Sequence, residues 1–433
     1  MQKPALTANA AGHLLLGGVD TVELAQTYGT PLVVYDVAAI RQQIQAFKES
    51  LQANGLRYQV SYASKAFATV AMYQLVTQTG IHTDVVSGGE LYTALQAGLP
   101  AERISFHGNN KSRAELEQAV DAQVGVIILD NFYEIELLHT VLLEKNATCW
   151  VMLRLTPGIT PHTHQYIQTG QVDSKFGFDV DSGQADQAVQ QVLAIPQMHL
   201  IGIHAHIGSQ IFGVQGFELL ANKLVDIAAD WRDRFDYVPE VLNLGGGFGI
   251  RYTDVDQPLS PATFIDHIAA AFKKRVALRG LALPEVWLEP GRSIVGPAGY
   301  NLYTVGSRKD IPELTSYVAV DGGMGDNIRP ALYQADYQAV CANHLNAPLV
   351  APVHLAGKYC ESGDILIDQA HLPAVAPGDL VAVLATGAYG YSMASNYNRN
   401  PRPAVVFVEN GQAKCVVARE SYADLTRLDQ SYL

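Results

Sequence analysis

Tyr58-Gln59-Val60-Ser61-Tyr62-Ala63-Ser64-Lys65 is the stretch from which the fold can be read. Its β-branched and aromatic residues describe a buried strand, and Ala66 to Val76 then carries the apolar spacing of an amphipathic helix. A lysine at the junction stands at the C-terminal end of a strand, where barrel enzymes place their chemistry. An amine partly desolvated there loses its proton more readily and can attack a carbonyl. Taken alone, the stretch is more simply read as a surface lysine opening a strand–helix loop.

The same rhythm continues for some 230 residues. Apolar strands are expected at Tyr58–Ser64, Thr83–Ser87, Ile104–Phe106, Gly125–Asp130, Cys149–Leu155, Leu200–His206, Val241–Leu244 and Val286–Leu288. Helical segments are expected between them at Thr69–Thr79, Gly89–Ala97, Arg113–Ala119, Phe132–Lys145, Gly183–Ala194, Gly216–Arg234 and Pro261–Arg279. Strands that alternate with helices run parallel, and eight of them predict a closed (β/α)8 TIM-type barrel. After Arg292 the pattern changes to strands separated by Gly, Pro and Asp, such as Ala298–Val305, Leu380–Leu384 and Ala404–Glu409. The fold class predicted is therefore α/β, with a barrel over residues 39–293 and a mainly β domain over 294–433. Residues 1–38 are assigned to the β domain, although the strand at Leu32–Tyr35 suits either.

Nearly half of the 433 residues are apolar, enough for a sizeable core. No apolar run approaches the roughly 20 residues that span a bilayer, and the N-terminus has no secretory pattern. Four scattered cysteines suit a reducing, cytoplasmic setting. A net charge of −13 argues against a nucleic-acid partner.

Three strand ends carry further chemistry. His204-Ala205-His206-Ile207-Gly208-Ser209 follows the sixth strand, with both imidazoles on one face. It admits a structural histidine, a metal pair without clear further ligands, or an imidazole packed on a cofactor ring with the serine on a phosphate. Leu244-Gly245-Gly246-Gly247-Phe248-Gly249 follows the seventh, where contiguous glycines let backbone N–H groups approach an anion. Glu289-Pro290-Gly291-Arg292 ends the eighth, offering a carboxylate for a protonated ring nitrogen and a guanidinium fork. An aldehyde for Lys65, a phosphate and a nitrogen that must stay protonated together describe pyridoxal 5'-phosphate. No metal is expected.

In the β domain, Gly325-Asp326-Asn327-Ile328-Arg329-Pro330-Ala331-Leu332-Tyr333, Cys360-Glu361-Ser362-Gly363-Asp364 and Gly387-Ala388-Tyr389-Gly390-Tyr391-Ser392-Met393 carry more functional groups than turns require. With Tyr-Ala-Ser-Lys, His107-Gly108-Asn109-Asn110-Lys111, His206-Ile207-Gly208-Ser209-Gln210 and the strand-end motifs, they form an ordered set running from about residue 30 to about 420. By that set the chain resembles the pyridoxal-phosphate decarboxylases of alanine-racemase-like fold, in particular those acting on meso-diaminopimelate.

The resemblance implies that Lys65 takes the cofactor's aldehyde and His206 stacks on its ring. Ser209, Gly246 and Gly247 would hold the phosphate, Glu289 would face the ring nitrogen, and Pro290, Gly291, Arg292 and Tyr389 would join the cofactor contacts. Arg292, Arg329, Tyr333, Glu361 and Tyr389 fall at substrate-binding positions, with Glu361 on the distal amino group and Cys360 as a proton donor beside Lys65. It further implies a homodimer with shared active sites. His162-Thr163-His164-Gln165-Tyr166-Ile167, Thr169-Gly170 and Ser174-Lys175-Phe176-Gly177 resemble a loop of diaminopimelate enzymes. Thr156 departs from the asparagine usual in the family. Decarboxylases of ornithine, arginine or a carboxylated polyamine precursor, and a non-catalytic cofactor carrier, are the alternatives.

Overall fold

The computed structural model describes residues 6–159 and 174–433. The chain divides into two compact units: Gln43–Gly249 with Pro258–Ser293, and Gln2–Gln42 with Ile250–Gln257 and Ile294–Leu433.

The first unit is a closed parallel barrel. Its strands are β1 (Tyr58–Ala63), β2 (His82–Val85), β3 (Ile104–Phe106), β4 (Val126–Leu129), β5 (Cys149–Thr156), β6 (Met198–His204), β7 (Val241–Asn243) and β8 (Glu285–Leu288). Each pairs in parallel with the next, and β8 returns to β1 through Val286–Tyr58 and Leu288–Val60. Barrel strands are buried on both faces, which is why they read as continuous apolar runs: every residue of β4 is buried. The inside is packed by Val126, Ile128, Met152, Ile201, Val241 and Trp287.

Five of the connecting helices start where the sequence supplies a Ser, Thr or Asn cap: Thr69, Ser87, Ser112, Asn131 and Ser260. Ser112 and Glu115 form a reciprocal capping box for Arg113–Ala122, and Ser260 with Pro261 opens Pro261–Arg279. Every barrel strand ends at the same mouth; the helices after β5 and β6 open at Gly183 and Val214 without a side-chain cap.

The second unit is mainly β. Leu32–Asp36 lies between Gly299–Lys309, its antiparallel neighbour, and Ala404–Glu409, its parallel one. Its core gathers Leu14, Leu16, Val34, Leu302, Ala382 and Val406. Several strands escape the sequence reading, among them Leu14–Leu16, Ala339–Cys341, Ile365–Ala370 and Gln412–Val417. Ile365–Ala370 and Gln412–Val417 lie at sheet edges, and neither alternates cleanly between buried and exposed residues.

Candidate active site

Lys65 occupies a single tight turn, Ser64–Ala66, directly after β1, and its side chain is exposed. The turn is pinned from below. Ser64 N donates to Asp84 Oδ1 at 2.8 Å, and Ser64 Oγ donates to Glu90 Oε2 at 3.2 Å. Burial raises the Asp84 carboxyl well above its ordinary range, the nearby Glu289 charge raises it further, and Lys65 opposes both. Sequence reading missed Asp84. An aspartate inside a strand was its only signal.

Glu289 follows β8 and is buried. Burial alone would raise its pKa, but His107 and His204 beside it hold the carboxyl well below the usual range. His204 Nε2 lies 3.0 Å from Oε2, and Asn243 Nδ2 donates to Oε1 at 2.6 Å. His107 Nε2 also lies 3.0 Å from Oε1, but the contact is bent away from a straight hydrogen bond. His107, His204 and Glu289 place potential metal-ligand atoms within 4.8 Å of one another. Their close N···O contacts are those of donors on a carboxylate.

His206 is partly exposed in the mouth. Gly246 N donates to its Nδ1 at 3.2 Å, which leaves the proton of the neutral ring on Nε2. Burial, then the charge of Lys65, lowers its pKa well below the ordinary histidine value. The glycine loop itself admits no side chain. A Cβ on Gly246 would lie 2.1 Å from the Glu289 carbonyl oxygen, and one on Gly247 would lie 2.1 Å from that of Gly208. Ile211 N donates to Gly247 O and Gly249 N to Ile211 O, both at 2.9 Å, closing the loops after β6 and β7 against each other. Arg292 reaches across to donate through Nε (3.3 Å) and Nη2 (3.0 Å) to Ser209 Oγ. Pro290 O accepts from Ala63 N, and a Cβ on Gly291 would meet Ala63 at 2.7 Å, so this turn is fitted to the strand that carries Lys65.

The barrel thus brings together Lys65, His206, Ser209, Gly246, Gly247, Glu289 and Arg292. Arg154 near the end of β5 is partly buried, its guanidinium 4.3 Å from the Phe176 ring. Of the loop that the sequence marked out, Ser174–Gly177 is described, and the motif residues from His162 to Gly170 lie outside the described residues.

The second unit holds the remaining candidates. Arg329 opens the short helix Arg329–Tyr333 and is buried; it donates to the Tyr337 hydroxyl and lies 4.9 Å over the Tyr252 ring. Tyr389 has a φ of +65° and adds to the field around Arg329. Tyr333, Cys360 and Glu361 are exposed. Beneath Cys360, Asp364 accepts from Tyr359 N at 2.8 Å and Met324 N at 2.6 Å. Asp326, pushed up to about 7 by burial against the opposing Gly323 N–H, interacts with the Tyr359 side chain. The Cys360 turn and the segment leading to Arg329 are therefore tied to one another.

The barrel's donor set fits pyridoxal 5'-phosphate. An amine stands at one strand end, a glycine cradle too tight for any Cβ at another, and an ionised buried carboxylate at a third.

Comparison with known proteins agrees. Residues 37–296 match the family described as "Pyridoxal-dependent decarboxylase, pyridoxal binding domain". The chain is 57% identical over 421 residues to the diaminopimelate decarboxylase of Bacillus subtilis, covering 97% of this chain and 96% of that one. It is 55% identical, over equal shares, to that of Halalkalibacterium halodurans. The crystal structure of diaminopimelate decarboxylase from M. jannaschii in complex with L-lysine matches with a TM-score of 0.93 and 34% identity, covering 99% of this chain and 98% of that one. A barrel mouth fitted to this cofactor and likeness over nearly the whole length lead to one assignment: the chain belongs to the pyridoxal-dependent decarboxylases, in the group that contains the diaminopimelate decarboxylases.

Proposed function

We propose that this protein removes carbon dioxide from meso-2,6-diaminopimelate to give L-lysine, the last step of lysine biosynthesis. The observation that carries the reading is Glu289, a buried carboxylate kept ionised among nitrogen donors at the mouth that also presents Lys65. Bound pyridoxal 5'-phosphate supplies an aldehyde for an amine and a ring that accepts the electron pair left by a departing carboxylate.

The chain's own groups divide the remaining work. Lys65 offers the amine at Nζ. Glu289 presents negative charge to the ring nitrogen, and His206, neutral and proton-bearing at Nε2, offers a flat ring face. Ser209, Arg292 and the backbone of Gly246 and Gly247 form the anion cradle, with Pro290 and Gly291 setting its floor and Tyr389 a further contact. Arg329, its guanidinium braced by Tyr337 and Tyr252, is the fork for a substrate carboxylate. Ornithine has no distal carboxylate to meet it. Tyr333 and Glu361 would bind the rest of the substrate, Glu361 at the distal amino group. Cys360, with Lys65 as alternative, would return a proton to Cα.

Cys360 and Glu361 sit on an exposed turn. That suits a homodimer in which each chain lends them to its partner's site. The cysteines Cys149, Cys341, Cys360 and Cys415 are unpaired, which suits a cytoplasmic enzyme.

The test is carbon dioxide release from meso-diaminopimelate against ornithine at matched concentration. Release from the former, at least a hundredfold faster, is expected. Preference for ornithine would replace the substrate, and no release from any diamino acid would favour a carrier.

A further inference from the structure

The charge of Glu289 has to be maintained against burial, and the groups that maintain it come from three other strand ends. His204 closes β6, Asn243 closes β7 and His107 follows β3. All three are buried. A carboxylate only accepts, so His204 Nε2, 3.0 Å from Oε2, carries the proton. Its other nitrogen, Nδ1, is buried without a partner. Protonating Nδ1 would create a buried unsatisfied N–H beside Arg154, so the ring stays neutral; burial accordingly carries its pKa down to about 4. Burial lowers the pKa of His107 while the Glu289 charge opposes it, and its ring meets the edge of the His204 ring at 4.9 Å and 75°. Asn243 cannot turn away, because its Oδ1 accepts from Gly245 N at 2.9 Å while its Nδ2 donates to Oε1.

Glu289 is therefore a buried negative charge fed by two neutral donors, His204 and Asn243. Around it, Arg154 is countered by Asp130, while Asp84 stands beside Lys65. Had either imidazole been charged, Glu289 would already have its cation and would attract a second one poorly.

We propose that His204, with His107 in support, is a positioning residue that keeps Glu289 ionised and aimed while adding no charge of its own, so that the proton required on the cofactor's ring nitrogen is retained. This rests on the cofactor assignment and deepens it.

The test uses holoenzyme loaded with pyridoxal 5'-phosphate labelled with nitrogen-15 in the ring, read by NMR across pH. In the wild type the ring nitrogen should be protonated through the neutral range. In His204→Phe, which keeps a flat ring but loses the N–H, it should give up its proton about tenfold to a hundredfold more readily, the loss of one hydrogen bond to a charged group. His204→Gln restores an N–H donor and should recover most of the change. His107→Leu should shift the proton the same way by a few-fold, and it reads the same quantity if the Phe variant does not fold. A ring-nitrogen titration unchanged in His204→Phe or, failing that variant, in His107→Leu, overturns the proposal. So does a Gln variant as impaired as Phe, which would mark a merely structural role. These outcomes leave the decarboxylase reading intact, because that reading falls only if the wild type releases no carbon dioxide from diaminopimelate.

Discussion

Lys111→Met is expected to destabilise the barrel by about 3–5 kcal/mol, the cost of breaking a buried ion pair from one side. The lysine belongs to the His107–Lys111 motif, but its ammonium points into the wall and not into the mouth. Its side chain is 1% exposed, and Nζ donates to Gly108 O at 2.9 Å, Ile128 O at 2.8 Å and Glu134 Oε1 at 2.8 Å. All three ammonium protons are thus used. Methionine fills the stem's volume but leaves two carbonyls and a buried carboxylate without the donor. Burial already raises Glu134, and Lys111 opposes that rise, so removing Lys111 lifts the carboxyl further. A carboxyl whose folded pKa is raised favours the folded state below its unfolded value and loses that contribution as pH climbs through the folded one. The deficit should therefore be smallest in acid and grow toward neutrality. Trp150, Trp231 and Trp287 all lie in the barrel, so tryptophan fluorescence during urea denaturation reports this unit. Lys111→Met/Glu134→Leu should recover much of the loss, since it removes the orphaned charge. A single-variant deficit under about 1 kcal/mol at neutral pH, or a double variant no better than the single, would refute the reasoning.

Cys360→Ala should lower carbon dioxide release at least a hundredfold while the absorption spectrum of the bound cofactor stays as in the wild type; unaltered turnover would remove Cys360 from the proton step. Arg329→Lys keeps the charge but loses the fork braced by Tyr337 and Tyr252, so KM for diaminopimelate should rise about tenfold to a hundredfold with kcat less affected. Equal KM values would mean that this guanidinium does not bind substrate. Gly246→Ala would bring a Cβ to 2.1 Å from the Glu289 carbonyl and force the loop outward. Equilibrium dialysis should find pyridoxal 5'-phosphate bound at least tenfold more weakly, and wild-type affinity would show that the loop is not the phosphate cradle.

The barrel was legible because its strands are buried on both faces and most of its helices begin at Ser, Thr or Asn caps, both features local in the chain. Lys65, the glycine loop and Glu289 were legible because each falls directly after a strand. The brace around Glu289 was not. His204 and Asn243 stand 85 and 46 residues from it, and no periodicity links strand ends that only the closed barrel brings together. His204 was visible as one of two imidazoles on a face, but its pairing with Glu289 was not. Asp364 was visible as the last residue of a motif and not as the acceptor that ties the Cys360 turn to Met324. The edge strand Gln412–Val417 escaped for the opposite reason: local signal is weak where little is buried.

The two units are built differently around their functional groups. In the barrel, polar groups are buried and multiply held: Glu289 by nitrogen groups from three strand ends, and Ser64 by Asp84 and Glu90. Such groups barely reorganise, which is what a cofactor needs if its ring nitrogen is to remain protonated while charge develops on the ring. In the second unit, Cys360, Glu361 and Tyr333 are exposed, and only their supports, Asp364, Asp326 and Arg329, are buried. Exposed groups on a buried base can be covered by substrate or by another chain without unsatisfied polar atoms being created in the core. Substitutions beneath the cofactor should therefore act on its electronic state, whereas substitutions on the Cys360 turn should act on which amino acid is accepted and how its carbanion is protonated.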